Sequence, residues 1–391
     1  MEDQLAGNDL VTDLRTAMRG CARRLSGAPA TTMGESLSAL VTRAGELVGG
    51  DGGALLDERP DMYGDGVVAL LERRVADLLG KPAAAYFPTG TMAQQVALRC
   101  WALETGSDVV ATHPLAHLEV HERHAYRDLT GLRGVWPTAE PRNPTAADLG
   151  AVAEPFGTLS VELPMRDAGF LLPDWDELAA VAEAAHKRGA RVHFDGARLW
   201  ESAVHYGRAL PELAGLADSV YVSFYKSLGG VSGAAVAGPE EFVAGLKEWR
   251  HRYGGQVFQQ WPTVLSALIG LDRELPRLPE YVAHAKTVAA ALAEVGSDVR
   301  GVRVYPEPPH THQFRLWVPF DARAMRRAGI EQIAASGSGL FERWVPGQAP
   351  GTAFTEVTAS AAALGWQPAE IGAALRDLLA RAGAKPGGSE D

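Results

Sequence analysis

The sequence predicts an α/β protein with a large domain built on a mainly parallel sheet and a smaller α/β domain at the C-terminal end. Three observations predict it. Short apolar runs alternate with helical periodicity through the first two thirds of the chain, two of those runs end in charged residues, and the texture changes after Trp261-Pro262. Alternating strands and helices favour a parallel sheet covered by helices. With 391 residues the chain is long enough for two domains. We expect an N-terminal arm over 1–60, a large domain over 61–262, a small domain over 263–384 and a mobile tail over 385–391.

The elements follow in order. The arm holds one or two amphipathic stretches and the Gly-rich run Gly49-Gly-Asp-Gly-Gly53. Val67 to Leu79 carries apolar residues at helical spacing. Ala84 to Pro88 reads as a strand, after which Gly90-Thr91 opens a helix. Strands are expected at 108–111, 158–163, 191–194, 219–224 and 233–237. Asp174 with Glu177 forms a capping-box pattern for a helix over 175–188. In the small domain we expect helices at 277–295, 329–335 and 368–382, with strands at 301–305, 312–318 and 352–358.

Composition narrows the function. Hydrophobic residues make up 46% and charged residues 22%, as in globular proteins generally. A net charge of -11 argues against nucleic acid or an anionic membrane as partner. Two cysteines, Cys21 and Cys100, form no disulfide framework and suit a reducing cytoplasm. The acidic start has no signal-peptide core, and no apolar run approaches the roughly 20 residues of a membrane span.

The informative pair is Lys226, closing Asp218-Ser-Val-Tyr-Val-Ser-Phe-Tyr-Lys226, and Asp195, closing Val192-His-Phe-Asp195. Ligands of open α/β sheets sit outside the carboxyl ends of strands, so both side chains should enter one crevice. Pyridoxal 5'-phosphate (PLP) needs such a pair: a lysine to bind its aldehyde and an aspartate to keep the pyridine nitrogen protonated. Each residue alone has an ordinary reading, as a surface lysine or a helix cap. Arg198 supplies a fixed cation for a carboxylate or phosphate. Gly90 and Thr91, between strand and helix, make an anion site from backbone N–H groups and the helix dipole. Ser223 offers a hydroxyl to the same phosphate. No Gly-Lys-Ser/Thr follows, so this is not a nucleotide P-loop, and Gly229-Gly-Val-Ser-Gly233 lacks dinucleotide-loop spacing. The polar cluster His113-Pro-Leu-Ala-His117-Leu-Glu-Val-His121-Glu-Arg-His124 sets His117 and His121 at i, i+4. That spacing permits a metal pair, a histidine stacked on a cofactor, or ordinary surface rings. No downstream carboxylate motif completes a metal site, so no metal ligand is assigned.

Together these motifs resemble the threonine-aldolase and β-eliminating-lyase group of fold-type I PLP enzymes. The matching pieces are Met62-Tyr-Gly-Asp65, Phe87-Pro-Thr-Gly-Thr-Met92, Ala116-His-Leu-Glu119 with Glu122, His193-Phe-Asp-Gly-Ala-Arg198 and Tyr225-Lys-Ser-Leu-Gly-Gly230. The resemblance runs from about Tyr63 to Gly238. It implies that Lys226 is the Schiff-base lysine, Asp195 the pyridinium partner, His117 the ring-stacking residue and Gly90 and Thr91 the phosphate holders. Arg198 would lie near cofactor and substrate carboxylate, and the Tyr63 loop would join the active site partly across the interface of a homodimer or homotetramer. Two features depart from the group. Its Asn-Thr-His-Asn-like turn is replaced by Glu162-Leu-Pro-Met-Arg-Asp-Ala-Gly169, and Ala353-Phe-Thr-Glu-Val-Thr358 lacks its late arginine. Arg166, His121, His310, His312 and Arg315 are candidates for the missing substrate contacts. The expected reaction is retro-aldol cleavage of a β-hydroxy-α-amino acid to glycine and an aldehyde. β-Elimination or racemisation comes second, and a metal-dependent hydrolase or a non-catalytic PLP-binding protein is the more distant reading.

Overall fold

The computed structural model describes residues 2–47 and 53–384. They divide into two compact units, one within 32–278 and one formed by residues 2–31 with 279–384. The sequence alone places the boundary at 262 and reads 1–60 as one arm. The helix Trp261–Arg273 packs with helices Gly66–Leu79 and Met33–Ala44, so the larger unit extends to 278. The first helix, Glu2–Gly20, instead packs against helix Ala322–Ser336 of the smaller unit. Most of the Gly-rich run 49–53 and the expected tail 385–391 lie outside the described residues.

The larger unit is built on a seven-stranded sheet. Its strands run, from edge to edge, Ala83–Phe87, Ala234–Gly238, Ser219–Ser223, Arg191–Gly196, Thr158–Glu162, Val109–Ala111 and Arg133–Val135. Strand 234–238 is antiparallel to both neighbours, and the remaining pairings are parallel. The central strands are buried along their whole length, as expected where helices cover both faces of a sheet. Helix Gly90–Thr105 packs on this sheet through Ala93, Val96, Ala97 and Trp101. Trp101 stacks on Phe242 with ring centroids 3.9 Å apart.

Beneath the strand ends lies a closed polar network. Buried His193 meets Ser219 Oγ at 2.7 Å and Gln94 Oε1 at 2.8 Å, while Trp101 donates to the same Ser219 oxygen. Burial pulls the His193 pKa down to about 4, so the ring is neutral and joins the Asp195 strand to the helix that begins at Gly90.

The smaller unit holds a four-stranded antiparallel sheet, with strand 313–318 between 303–305 and 353–358. Its core gathers Leu14, Met18, Phe314, Leu316, Met325, Trp344 and Leu375. The helix expected over 329–335 spans Ala322–Ser336, and Asp321 caps it by accepting from Ala324 N. Helix Trp175–Lys187 starts at Asp174, whose backbone is extended, but no side-chain bond caps it. The Asp174/Glu177 capping box is therefore not formed.

A candidate PLP site at the strand ends

Parallel register brings the functional groups together. Asp195 pairs with Glu162 on one side and Tyr221 on the other. Two residues beyond Tyr221 on the same strand face comes Ser223, then the turn bearing Tyr225 and Lys226. Burial and the positive charge of Arg198 pull the Lys226 pKa down to about 8, against the opposing pull of Asp195 and Glu162. Asp195 is buried and accepts from Ala197 N at 3.2 Å. Buried Arg198 heads helix Leu199–Tyr206, with its guanidinium over the Phe170 ring at 5.2 Å.

His117 starts the four-residue helix His117–Val120, and its N–H donates to Glu162 Oε2 at 2.8 Å. Its Nδ1 meets buried Glu122 Oε1 at 3.1 Å. Burial opposes the charged ring, but Glu122 and Asp195 outweigh it and hold the His117 pKa above the ordinary value. His121 follows one turn later, its ring 5.1 Å from that of His117, with Nε2 2.6 Å from Asp167 Oδ2. Arg166 Nη1 lies 3.3 Å from the same nitrogen. The i, i+4 pair thus forms as the spacing suggests, with each ring held by a carboxylate.

Three observations test this crevice against PLP. Ser223 Oγ and Arg198 Nε are buried without a hydrogen-bond partner among the described residues, so two donors are open to an acceptor. At Gly90, the first residue of its helix, a Cβ would fall 2.2 Å from the Tyr221 hydroxyl, so glycine keeps the backbone open at an anion-binding helix end. An amine and a carboxylate stand at the ends of one strand-and-turn segment and its neighbouring strand. This donor set fits an aldehyde-bearing, phosphorylated pyridine.

Known proteins point the same way. The β-eliminating lyase family profile matches residues 54–313. The chain belongs to the β-eliminating lyase family. It is a PLP-dependent lyase of fold type I. Among its relatives, the low-specificity L-threonine aldolase 1 of Arabidopsis thaliana is 28% identical over 247 residues, which cover 60% of this chain and 67% of that protein. A solved structure from Listeria monocytogenes, proposed to be an L-allo-threonine aldolase, superposes with a TM-score of 0.85 at 31% identity. That match covers 95% of this chain and 99% of the other. One from Exiguobacterium, proposed to be an aromatic amino acid β-eliminating lyase/threonine aldolase, gives 0.84 at 32% identity, covering 94% and 99%.

Within this family member, Lys226, Asp195, Arg198, Arg166 and His117 are close enough to act on one another's charge, His121 touches His117 and Arg166, and Gly90 and Ser223 lie beside and on the Tyr221 strand. Thr91 follows Gly90 in the first helical turn. Tyr63 is not brought to them within the chain. It sits at φ 59 on an exposed loop, its ring 5.4 Å from Phe258, and no described contact ties it to Lys226. His310, His312 and Arg315 belong to the smaller unit, where Arg315 faces Glu356 at 3.5 Å. His113 is buried and bonded to the Glu140 carbonyl at 2.7 Å, a structural role.

Sequence reasoning missed several groups. Glu162, with its pKa raised to about 7 by burial and by Asp195, accepts from the backbone N–H of both His117 and Arg166. Glu201, also pushed up to about 7 by burial, accepts from Ser227 Oγ at 2.7 Å, beside Lys226 in the chain. Tyr221 lies within an apolar strand and gives no sequence signal. Glu162 had one: a carboxylate ending a strand next to the Asp195 strand.

Proposed function

We propose that this chain cleaves a β-hydroxy-α-amino acid between Cα and Cβ, releasing glycine and an aldehyde. The observation that carries the reading is the Lys226 amine held among Asp195, Arg198 and His117 in a β-eliminating lyase. The threonine-aldolase names of relatives over most of its length support it. PLP, when bound, supplies an electron sink for a bond broken at Cα.

The chain's own residues would do the rest. Lys226 holds the cofactor covalently, and its lowered pKa leaves much of the amine unprotonated near pH 8. Asp195 keeps the pyridine nitrogen protonated by a charge-assisted hydrogen bond. Ser223 Oγ and the N–H groups of Gly90 and Thr91 bind the phosphate. Arg198 takes a carboxylate through its planar fork, and His117, braced by Glu122, covers the ring. Arg166 and His121 approach the substrate.

We also propose a homodimer or homotetramer. Helix Met33–Ala44 exposes Met33, Leu37 and Val41 at 86%, 63% and 62%, an apolar stripe at i, i+4, i+8 that a second copy would cover. Tyr63 on its exposed loop would then meet the site of a partner subunit. The free cysteines Cys21 and Cys100 support a reducing cytoplasm. Among the described residues, no helix is long and apolar enough to cross a membrane.

The test is a panel of amino acids given to the PLP-loaded protein, with glycine, aldehyde, ammonia and oxo-acid all measured. Glycine with stoichiometric aldehyde is the expected result. Ammonia with oxo-acid would instead favour the β-elimination named for the Exiguobacterium relative.

A further inference from the structure

Lys226 stands on a turn that one helix holds from both ends. Helix Leu199–Tyr206 follows Arg198. Gly196 lets it start close to strand Ser219–Ser223, since a Cβ there would fall 2.6 Å from the Tyr221 carbonyl oxygen and 2.8 Å from Leu199 Cβ. Two consecutive helix residues then reach the turn. The Trp200 indole N–H donates to the Ser223 carbonyl at 3.1 Å, and the Ser227 hydroxyl donates to Glu201 Oε1 at 2.7 Å. These two bonds bracket Phe224, Tyr225 and Lys226. Within the turn, Gly230 N donates to the Phe224 carbonyl at 2.8 Å and Gly229 N to that of Lys226 at 3.3 Å.

Burial separates the support from what it supports. Trp200, Glu201 and Ser223 are fully buried, whereas Lys226 and Ser227 are half-buried. A hydrogen bond from a buried carboxyl gains strength where little water competes for it. The same site makes a carboxyl costly to bury, and an apolar side chain would pack there at less expense. Burial pushes the Glu201 pKa up to about 7, against the pull of Ser227, Arg198 and Lys226. Glu201 is thus close enough to Lys226 for their charges to interact. Ionised, it favours the protonated amine alongside Asp195 and Glu162, whereas Arg198 and Arg166 oppose that form.

We propose that Glu201 is a positioning residue for Lys226: its bond to Ser227 fixes the turn that carries the amine, and its negative charge offsets that of Arg198 beside the amine. The inference rests on the reading of Lys226 as the residue that holds PLP. It is independent of which bond at the substrate Cα is broken.

The experiment follows PLP uptake by the PLP-free protein, using stopped-flow absorbance across pH 6 to 10. It compares wild type, Glu201→Gln, Glu201→Leu, Ser227→Ala and the Glu201→Leu/Ser227→Ala double variant, each checked for wild-type circular dichroism. Glutamine keeps an oxygen for the Ser227 hydroxyl but loses the charge. Its uptake rate at high pH should stay within about threefold of wild type, while its midpoint falls by about half a pH unit or more, because losing an anion disfavours the protonated amine. Leucine at 201 and alanine at 227 each break the bond. Their high-pH rates should fall about 10-fold or more, as a displaced amine requires. The double variant should fall no further than the worse single variant, since both remove one interaction. If the leucine variants do not fold, Glu201→Gln and Ser227→Ala decide the matter between them. An unmoved midpoint in Glu201→Gln, full-rate uptake by Ser227→Ala, or additive losses in the double variant would each overturn the inference and leave Lys226 in its role. A Lys226→Ala protein that keeps the visible absorbance would overturn the reading of Lys226 itself, and this inference with it.

Discussion

At the ends of strands Arg191–Gly196 and Ser219–Ser223, Asp195, Tyr221 and Ser223 are aimed by sheet register. The second wall of the site is made by His117, His121 and Arg166, which sit on a four-residue helix, at its C-terminal end and on a turn. The first wall has little freedom, because a strand's side-chain period of two decides which residues enter the crevice. The second is set by local backbone choices, including positive φ at Arg123, His124 and Phe170. Its orientation depends on single bonds, chiefly those that Glu162 accepts from His117 N and Arg166 N. The lesson is a division of labour. On the proposed roles, the rigid wall carries Asp195 and Ser223 for the cofactor, and the adjustable wall carries His117 for the cofactor ring with His121 and Arg166 for the substrate, where loops built on a rigid scaffold can vary.

The largest break of that contrast is Lys226→Ala on the rigid wall. Turnover should be lost, and the visible absorbance of the PLP-loaded protein should vanish. A coloured, active mutant would remove Lys226 from the role given to it. Next comes Asp195→Asn, which should still bind PLP but lose about 100-fold or more in kcat, because a neutral amide forms a weaker bond to a charged ring nitrogen than a carboxylate does. Near-wild-type kcat would reduce Asp195 to a cap for Ala197 N.

Arg198→Lys tests the join between the walls, since Arg198 heads a helix behind the strands yet touches Phe170 on the turn. Lysine keeps the charge but loses the fork. KM should rise about 10-fold with a smaller change in kcat, a loss of roughly 1.4 kcal/mol of binding. An unchanged KM would mean that the carboxylate is held elsewhere.

The two walls were also unequally legible in the sequence. Asp195 and Lys226 stood out because each ends an apolar run, and register then placed them as expected. Glu162 ends a run of the same kind, but a carboxylate there reads as an ordinary strand end until the sheet order sets it beside Asp195. Glu201, three residues after Arg198, looks like any polar helix residue. Only packing shows it fully buried against Ser227. On the adjustable wall, the sequence showed that a histidine-bearing turn was missing, but not that Asp167 and Arg166 would meet His121. Such contacts join residues 45 or more apart and have no local pattern. Helix Ala322–Ser336 is longer than the sequence pattern suggests because its first half, Ala-Arg-Ala-Met-Arg-Arg-Ala, is polar by pattern yet buries Ala322, Met325 and Ala328.

The smallest expected effect is a pH dependence within the rigid wall. The Lys226 amine has a pKa lowered to about 8, first by burial and then by Arg198. Only the unprotonated amine can attack the PLP aldehyde. The rate of PLP uptake by the PLP-free protein should therefore be low at pH 6, rise through a midpoint near 8 and level off above it. The same shift destabilises the folded chain at lower pH. A lysine with a depressed folded pKa contributes stability above its unfolded value of 10.5, and loses that contribution as pH falls through about 8. Replacing Arg198 with methionine removes a neighbouring positive charge and should move the uptake midpoint upward. Arg198→Lys, which keeps the charge, should leave it nearly in place. Stopped-flow absorbance across pH 6 to 10 reads all three proteins. A wild-type midpoint near 10, or one indifferent to Arg198→Met, would show that Arg198 and burial do not set the reactivity of Lys226.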